Sequence, residues 1–341
     1  MSVDPLDVLK CRLVHDDIGV MPSCSLRWIL RISILAGLVA TTPTLAAAAP
    51  AGKPNRTRHI SRGRSTGRSD RRNRHGYTRS GRIHKKSAAF KAADTPRHLI
   101  LSEEFNGPAG SSPNQGNWNF DTGGNGWGNE ELESYTSRPQ NASLDGKGDL
   151  AITARAESYT GSDGIPRQYT SARLQTLHKF QFQYGLVEAR IQVPGGQGLW
   201  PTFWLLGDEC YSGSKAWPAC GEIDAMEVLG STSNAVHGTL HAPWPFAPKG
   251  VGGKAETPTS LSGGFHVYGV EWAPERINFL LDGTVYETIT RSQLPPGAAW
   301  PFQHPFFLLL NLAVGGDWPG PPNASTQFPA QMLVDWVRAW Q

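Results

Sequence analysis

The chain has 341 residues, and its 32 Lys and Arg nearly balance 29 Asp and Glu for a formal net charge of +3. That balance hides an asymmetry: residues 50–92 hold 14 basic residues against the single acid Asp70, whereas residues 96–341 hold 14 basic and 23 acidic residues. With 38 Gly, 26 Pro and 12 Trp, the composition excludes a coiled coil, a helix bundle and a multi-span membrane protein, and favours one all-β domain large enough to bury a core.

In chain order, the first feature is an address. Ile29 to Ala40 is an apolar run preceded by Arg27 and followed by Leu45-Ala-Ala-Ala-Ala-Pro50. A basic start, a short apolar core and an A-x-A site describe a secretory signal over residues 1–49, so the mature protein is expected outside the cell. The run is too short for a transmembrane anchor. Asp4, Asp7, Asp16 and Asp17 are foreign to such a leader and place the expected translation start at Met21. Residues 50–95 read as a basic linker with too little apolar surface to fold. It offers an electrostatic tether to an anionic surface such as a cell wall, beside the plainer reading of a solvated spacer. Nothing in it supports specific nucleic-acid recognition.

Residues 96–341 form the expected folded domain. Short β-type runs recur between turn clusters: Leu150–Ala154, Tyr184–Val193, Phe265–Trp272, Arg276–Leu281 and Met332–Trp340. Several alternate with period 2, and Asp282-Gly283 between two such runs is a hairpin signal. Gly123–Gly128 and Asn311–Gly316 read as irregular Gly-rich loops. Many strands at this length predict a two-sheet sandwich. After removal of the leader two cysteines remain, Cys210 and Cys220, and a secreted chain with two cysteines predicts one disulfide.

The chemistry concentrates in residues 221–228, Gly-Glu-Ile-Asp-Ala-Met-Glu-Val. In a regular strand Glu222 and Asp224 share a face while Glu227 points into the core, a costly burial of charge. One extra residue, a β-bulge around Ala225-Met226, resets the phase and puts all three acids on one face. Two carboxylates close enough to flank a glycosidic bond, with a third between them, suit a retaining glycosidase. A solvated acidic face or a calcium site is the competing reading.

Glu222-Ile-Asp-Ala-Met-Glu227 resembles the bulged E-x-D-x-x-E signature of glycoside hydrolase family 16 in its laminarinase-like form. Gly126–Thr136, Tyr169–Leu174, Gly198–Gly207, Asn311–Gly316 and Val334–Arg338 resemble further segments of that family, in order. The resemblance implies a β-jelly-roll sandwich with a substrate cleft on its concave face. It also implies retaining endo-hydrolysis of β-1,3-glucan, with Glu222 as nucleophile, Asp224 as assisting acid and Glu227 as acid/base. No cofactor is implied for catalysis. Glu104, Gly148 and Asp335 match the positions of a structural calcium site on the convex side, with a salt-bridged surface acid as the alternative.

Sugar rings offer an apolar face for aromatic stacking and hydroxyls for polar groups. Trp127, Trp200 and Trp204 are the expected platforms; Asn129 and Arg173 the expected hydrogen-bond donors; His241 matches a position near the cleaved bond. Core burial of each Trp and an ion pair for Arg173 are the alternatives. Ala242-Pro-Trp-Pro-Phe246 departs from the family pattern at a neighbouring subsite. The expected partner is β-1,3-glucan, bound by a monomer. The same fold acting on mixed-linkage glucan, agar or carrageenan, acting as a transglycosylase, or serving as a noncatalytic glucan-binding module are the competing functions.

Overall fold

The computed structural model describes residues 97–341; the leader, the start at Met21 and the linker through residue 95 lie outside the described residues. The chain folds as two stacked sheets, the jelly-roll sandwich expected from the strand pattern. In spatial order, the seven-stranded sheet runs Val251–Glu256, Ala235–His241, Glu222–Glu227, Leu199–Gly207, Phe306–Val314, Arg173–Gln175 and Asn119–Asp121, every pair antiparallel. The ten-stranded sheet covers its other face. Its centre is Gly185–Gln192 against Ala330–Trp340, with His266–Ala273 and Arg276–Leu281 on one side and Leu150–Thr160 on the other.

Period-2 alternation explains why the strands of the seven-stranded sheet sit as they do. In Leu199–Gly207, the odd positions Leu199, Phe203 and Leu205 are fully buried between the sheets. The even positions Trp200, Thr202, Trp204 and Leu206 face the opposite way and line a cleft. Ala235–His241 repeats this: Val236 and Leu240 enter the core, while His237, Thr239 and His241 face the cleft. Gly238 belongs to the core side, where a Cβ would lie 2.4 Å from the Phe279 ring.

The Asp282-Gly283 hairpin forms as expected, with φ of 49° and 73° at its two turn residues. Such left-handed pairs match the twist of the flanking strands. One expectation fails. Asn311–Val314 is not loop but the end of the nine-residue strand Phe306–Val314, buried throughout. A run covered on both faces loses its alternation and hides as a continuous apolar stretch, and only Gly315 and Gly316, at φ of 74° and 118°, turn away.

Candidate active site

The acid strand Glu222–Glu227 is third of seven, so its cleft face lies near the middle of the sheet. Its register against Leu199–Gly207 pairs Glu222 with Leu206 and Asp224 with Trp204, then Met226 with Phe203 and Glu227 with Thr202. Ala225 is therefore the extra residue of a bulge, as the spacing of the acids predicts. Ala225 and Met226 both turn into the core with Ile223, and Glu222, Asp224 and Glu227 all line the cleft. The alternative, Glu227 buried between the sheets, does not occur.

The three carboxylates share a crowded floor. Glu222 Oε2 accepts from the Trp217 indole N–H at 2.9 Å, and Glu227 Oε2 from the Thr239 hydroxyl at 3.0 Å. His241 Nε2 lies 3.2 Å from Asp224 Oδ2 and 3.9 Å from Glu222 Oε1. Burial, then the neighbouring Asp224 charge, pushes Glu222 up to about 8. Burial raises Asp224 as well, and burial followed by the Asp224 charge raises Glu227 well above the ordinary carboxylate range. Like charges this close cannot all ionise, so the cluster retains protons near neutrality.

The cleft has a volume of about 1030 Å³ and runs from Asn125 and Trp127 at one end to Lys249 and Lys254 at the other. All six substrate-binding residues expected from sequence line it. Arg173 is nearly buried, paired to Asp121 at 3.0 Å, and its guanidinium sits 4.7 Å from both the Trp127 and the Trp204 ring centroids. The two tryptophans thus clamp the arginine, a cation–π arrangement, and the ion-pair alternative for Arg173 holds together with its place in the cleft. Trp200 is mostly buried and meets Trp318 edge-on at 5.6 Å. Asn129 is exposed and donates to Glu131 Oε1 at 3.1 Å.

Several lining residues were missed by sequence reasoning. Trp217 and Trp318 lie in loops, where no periodicity marks a face. Asn311 was hidden in the buried strand; its Oδ1 accepts from Thr202 and Trp204, and its Nδ2 donates to the Tyr135 hydroxyl. Tyr135 in turn donates to Glu131 Oε2 at 2.8 Å. This polar chain fastens the 123–136 loop, which carries Trp127 and Asn129, to the centre of the sheet.

The calcium expectation does not fit the residues present. Both oxygens of Glu104 accept from Arg338 at 2.8 Å, and Asp335 is paired to Arg190. Calcium needs six to eight oxygen donors, and carboxylates already neutralised by guanidinium groups do not supply them; the salt-bridged alternative describes Glu104 and Asp335, with Gly148 in a turn at φ of 108°. Among the described residues, Glu222, Asp224 and His241 do bring donor atoms within 4.8 Å of one another. Their contacts with each other make an acid cluster with a histidine, short of the coordination a metal centre requires. Cys210 and Cys220 form the expected disulfide, with Cα atoms 5.3 Å apart.

Comparisons with known proteins agree with this geometry. The chain is 42% identical over 251 residues to a "Beta-glucanase" of Rhodothermus marinus, covering 71% of this chain and 85% of that one. It is 36% identical over 264 residues to "Glucan endo-1,3-beta-glucosidase A1" of Niallia circulans, covering 72% of this chain but only 38% of that longer protein. The X-ray structure of an endo-beta-1,3-glucanase from Pyrococcus furiosus superposes with a TM-score of 0.67 at 42% identity, covering 72% of this chain and 94% of that one. The sequence model for "Glycosyl hydrolases family 16" matches residues 130–338, from the entry loop through the acid strand to the last strand of the sandwich, and the chain belongs to that family.

Proposed function

We propose that the protein is a retaining endo-β-1,3-glucanase in which Glu222 is the nucleophile, Glu227 the acid/base and Asp224 the assisting acid. One observation carries the reading: the Ala225 bulge turns three carboxylates onto one face, at the centre of a groove that spans the sheet. A groove with lining residues on both sides of the acids suits cleavage within a chain.

The roles follow from the neighbours. Glu222 has the most support for its anion: His241, the Trp217 N–H and Arg173 all favour the charged form. Burial and the charges of Asp224 and Glu222 favour the acid form of Glu227, outweighing His241 and the Thr239 hydroxyl. In the first step a Glu222 oxygen attacks the anomeric carbon, the glycosidic C–O bond breaks, and the Glu227 proton passes to the leaving oxygen. In the second, Glu227 takes a proton from water, the water oxygen attacks the same carbon, and Glu222 departs. Two inversions give retention. Asp224, between them, shares a proton with its neighbours and holds Glu222 in place. No metal or cofactor takes part in either step.

Incubation with laminarin, lichenan, agarose and xyloglucan, with sizing of products, tests the substrate. Short oligosaccharides from laminarin are expected; release from agarose alone would overturn the linkage preference, and full activity in Glu222→Gln would overturn the mechanism. A noncatalytic glucan-binding module is disfavoured because it has no use for three convergent acids. The reading includes secretion, a leader over residues 1–49 and a basic linker over 50–95, a spacer or a tether to an anionic surface. N-terminal sequencing of protein from culture medium, and cell-wall pull-down with and without the segment before Thr95, test these.

A further inference from the structure

One wall of the cleft reaches the reaction through a single side chain, Trp217. The Cys210–Cys220 disulfide closes a short loop immediately ahead of the acid strand. The base of this loop is fixed. Cys220 is fully buried with Leu177, Leu206, Phe307 and Leu309 in an apolar cluster separate from the main core. Its carbonyl oxygen lies 3.0 Å from His304 Nε2, and His304 Nδ1 lies 3.1 Å from Asp208 at the other end of the loop. Tyr211 meets the Phe307 ring edge-on at 5.5 Å. Gly221, at φ of 76°, makes the turn into the strand; a Cβ there would lie 2.9 Å from the Pro301 carbonyl oxygen.

The tip of the loop is different. Trp217 is 55% exposed, although a large apolar ring in water carries an energetic cost. Its single donor, the indole N–H, is directed to Glu222 Oε2 at 2.9 Å. Its ring centroid lies 5.9 Å from that of His241. The only Trp of this loop therefore reaches over the cleft to the carboxylate that attacks.

We propose that the Cys210–Cys220 loop is a positioning element of the reaction, in which the Trp217 N–H holds the Glu222 carboxylate for attack and the disulfide holds the indole over it. The proposal rests on the assignment of Glu222 as nucleophile. Glu222 faces Asp224 and Glu227 on its own strand, His241 and Arg173 from other strands of the sheet, and Trp217 from the loop. Trp217 is the one partner that the sheet itself does not fix. Opening the disulfide would return conformational freedom to the tip, and the N–H would no longer be presented. Trp217 acts through Glu222 and is a positioning residue.

Trp217→Phe keeps an aromatic ring and removes the donor. On laminarin, kcat should fall about tenfold or more, the usual consequence of losing a hydrogen bond to a charged group, while KM changes by less than about threefold. The acidic limb of the kcat/KM profile should move to higher pH, because the Glu222 anion loses a donor; a purely structural role would not move it. The Cys210→Ser/Cys220→Ser variant, and wild type treated with dithiothreitol, should fall to one common level, and dithiothreitol should not lower the double variant further. Near-UV circular dichroism establishes that each protein is folded, and if the double variant is not, Trp217→Phe decides alone. Wild-type kcat and an unmoved limb in Trp217→Phe overturn the proposal. Full activity in a folded double variant overturns the tether. Inactive wild type on β-1,3-glucan, or an active Glu222→Gln, overturns the underlying assignment instead, so the two failures are distinct.

Discussion

Deleting Ala225 isolates what the bulge does. In the wild-type ladder, Glu222 through Glu227 spans Leu206 to Thr202 on the neighbouring strand, four steps or about 13 Å at 3.3 Å per step. Six residues cover a distance that five would cover in a regular strand. Without Ala225, Asp224, Met226 and Glu227 would face Trp204, Phe203 and Thr202 in unbroken register, and on the other side Glu227 would still oppose His237. The acids would keep their face and their spacing. The loss is one fully buried methyl group, about 1 kcal/mol, which lowers Tm by about 2–4 °C in a domain of this size. Straightening the strand re-aims Glu227, and a misplacement of about 1 Å costs about 100-fold in rate. The assay is laminarin hydrolysis beside Glu222→Gln, for which a loss of about 10⁴-fold or more is expected. The deletion variant should lie clearly above that floor. A second Ala inserted beside Ala225 should reach it, because Glu227 must then slide two steps or occupy a larger bulge. A folded deletion variant as inactive as Glu222→Gln would refute the claim that residue count and face assemble this site.

Other outcomes follow from the same structure. The cluster carboxylates hold protons that the unfolded chain releases above about pH 4–5, so their contribution to stability is present at low pH and is lost as pH rises toward about 8, the value for Glu222. Glu222→Gln should flatten the fall of Tm between pH 5 and 8 and melt above wild type at pH 8; a parallel curve would show that the carboxyl is not raised. Tyr135→Phe removes the hydroxyl joining Asn311 to Glu131, costing about 1–3 kcal/mol and raising KM through the Trp127 loop; an unchanged Tm by calorimetry contradicts the polar chain. Since Glu104 and Asp335 are held by arginines, EDTA should leave Tm where it was, and a rise on adding calcium would contradict that pairing.

The parts of this protein that were legible in sequence share a physical cause. A strand half-covered by core must alternate, so Tyr184–Val193 could be placed to within a residue or two. Charge cannot be left between the sheets, so the spacing of Glu227 from Asp224 itself demands a bulge. Where those constraints relax, the reading stops. Phe306–Val314 is covered on both faces and shows no alternation, and its one polar residue, Asn311, looked like the start of a loop.

Trp217 and Arg173 show the same limit from the side of chemistry. Arg173 reads as a sugar ligand with an ion pair as the alternative, and the sequence does not show that it is both, because its surroundings come from segments distant in sequence: Asp121, Trp127 and Trp204. Trp217 sits five residues before Glu222, yet nothing in that spacing directs its N–H back toward the acid strand. The direction comes from the closure of the loop by Cys210 and Cys220 and from a buried base that leaves the tip facing the cleft. Strand pattern fixes where the carboxylates point, and loop closure fixes what points at them; only the first obeys a local rule.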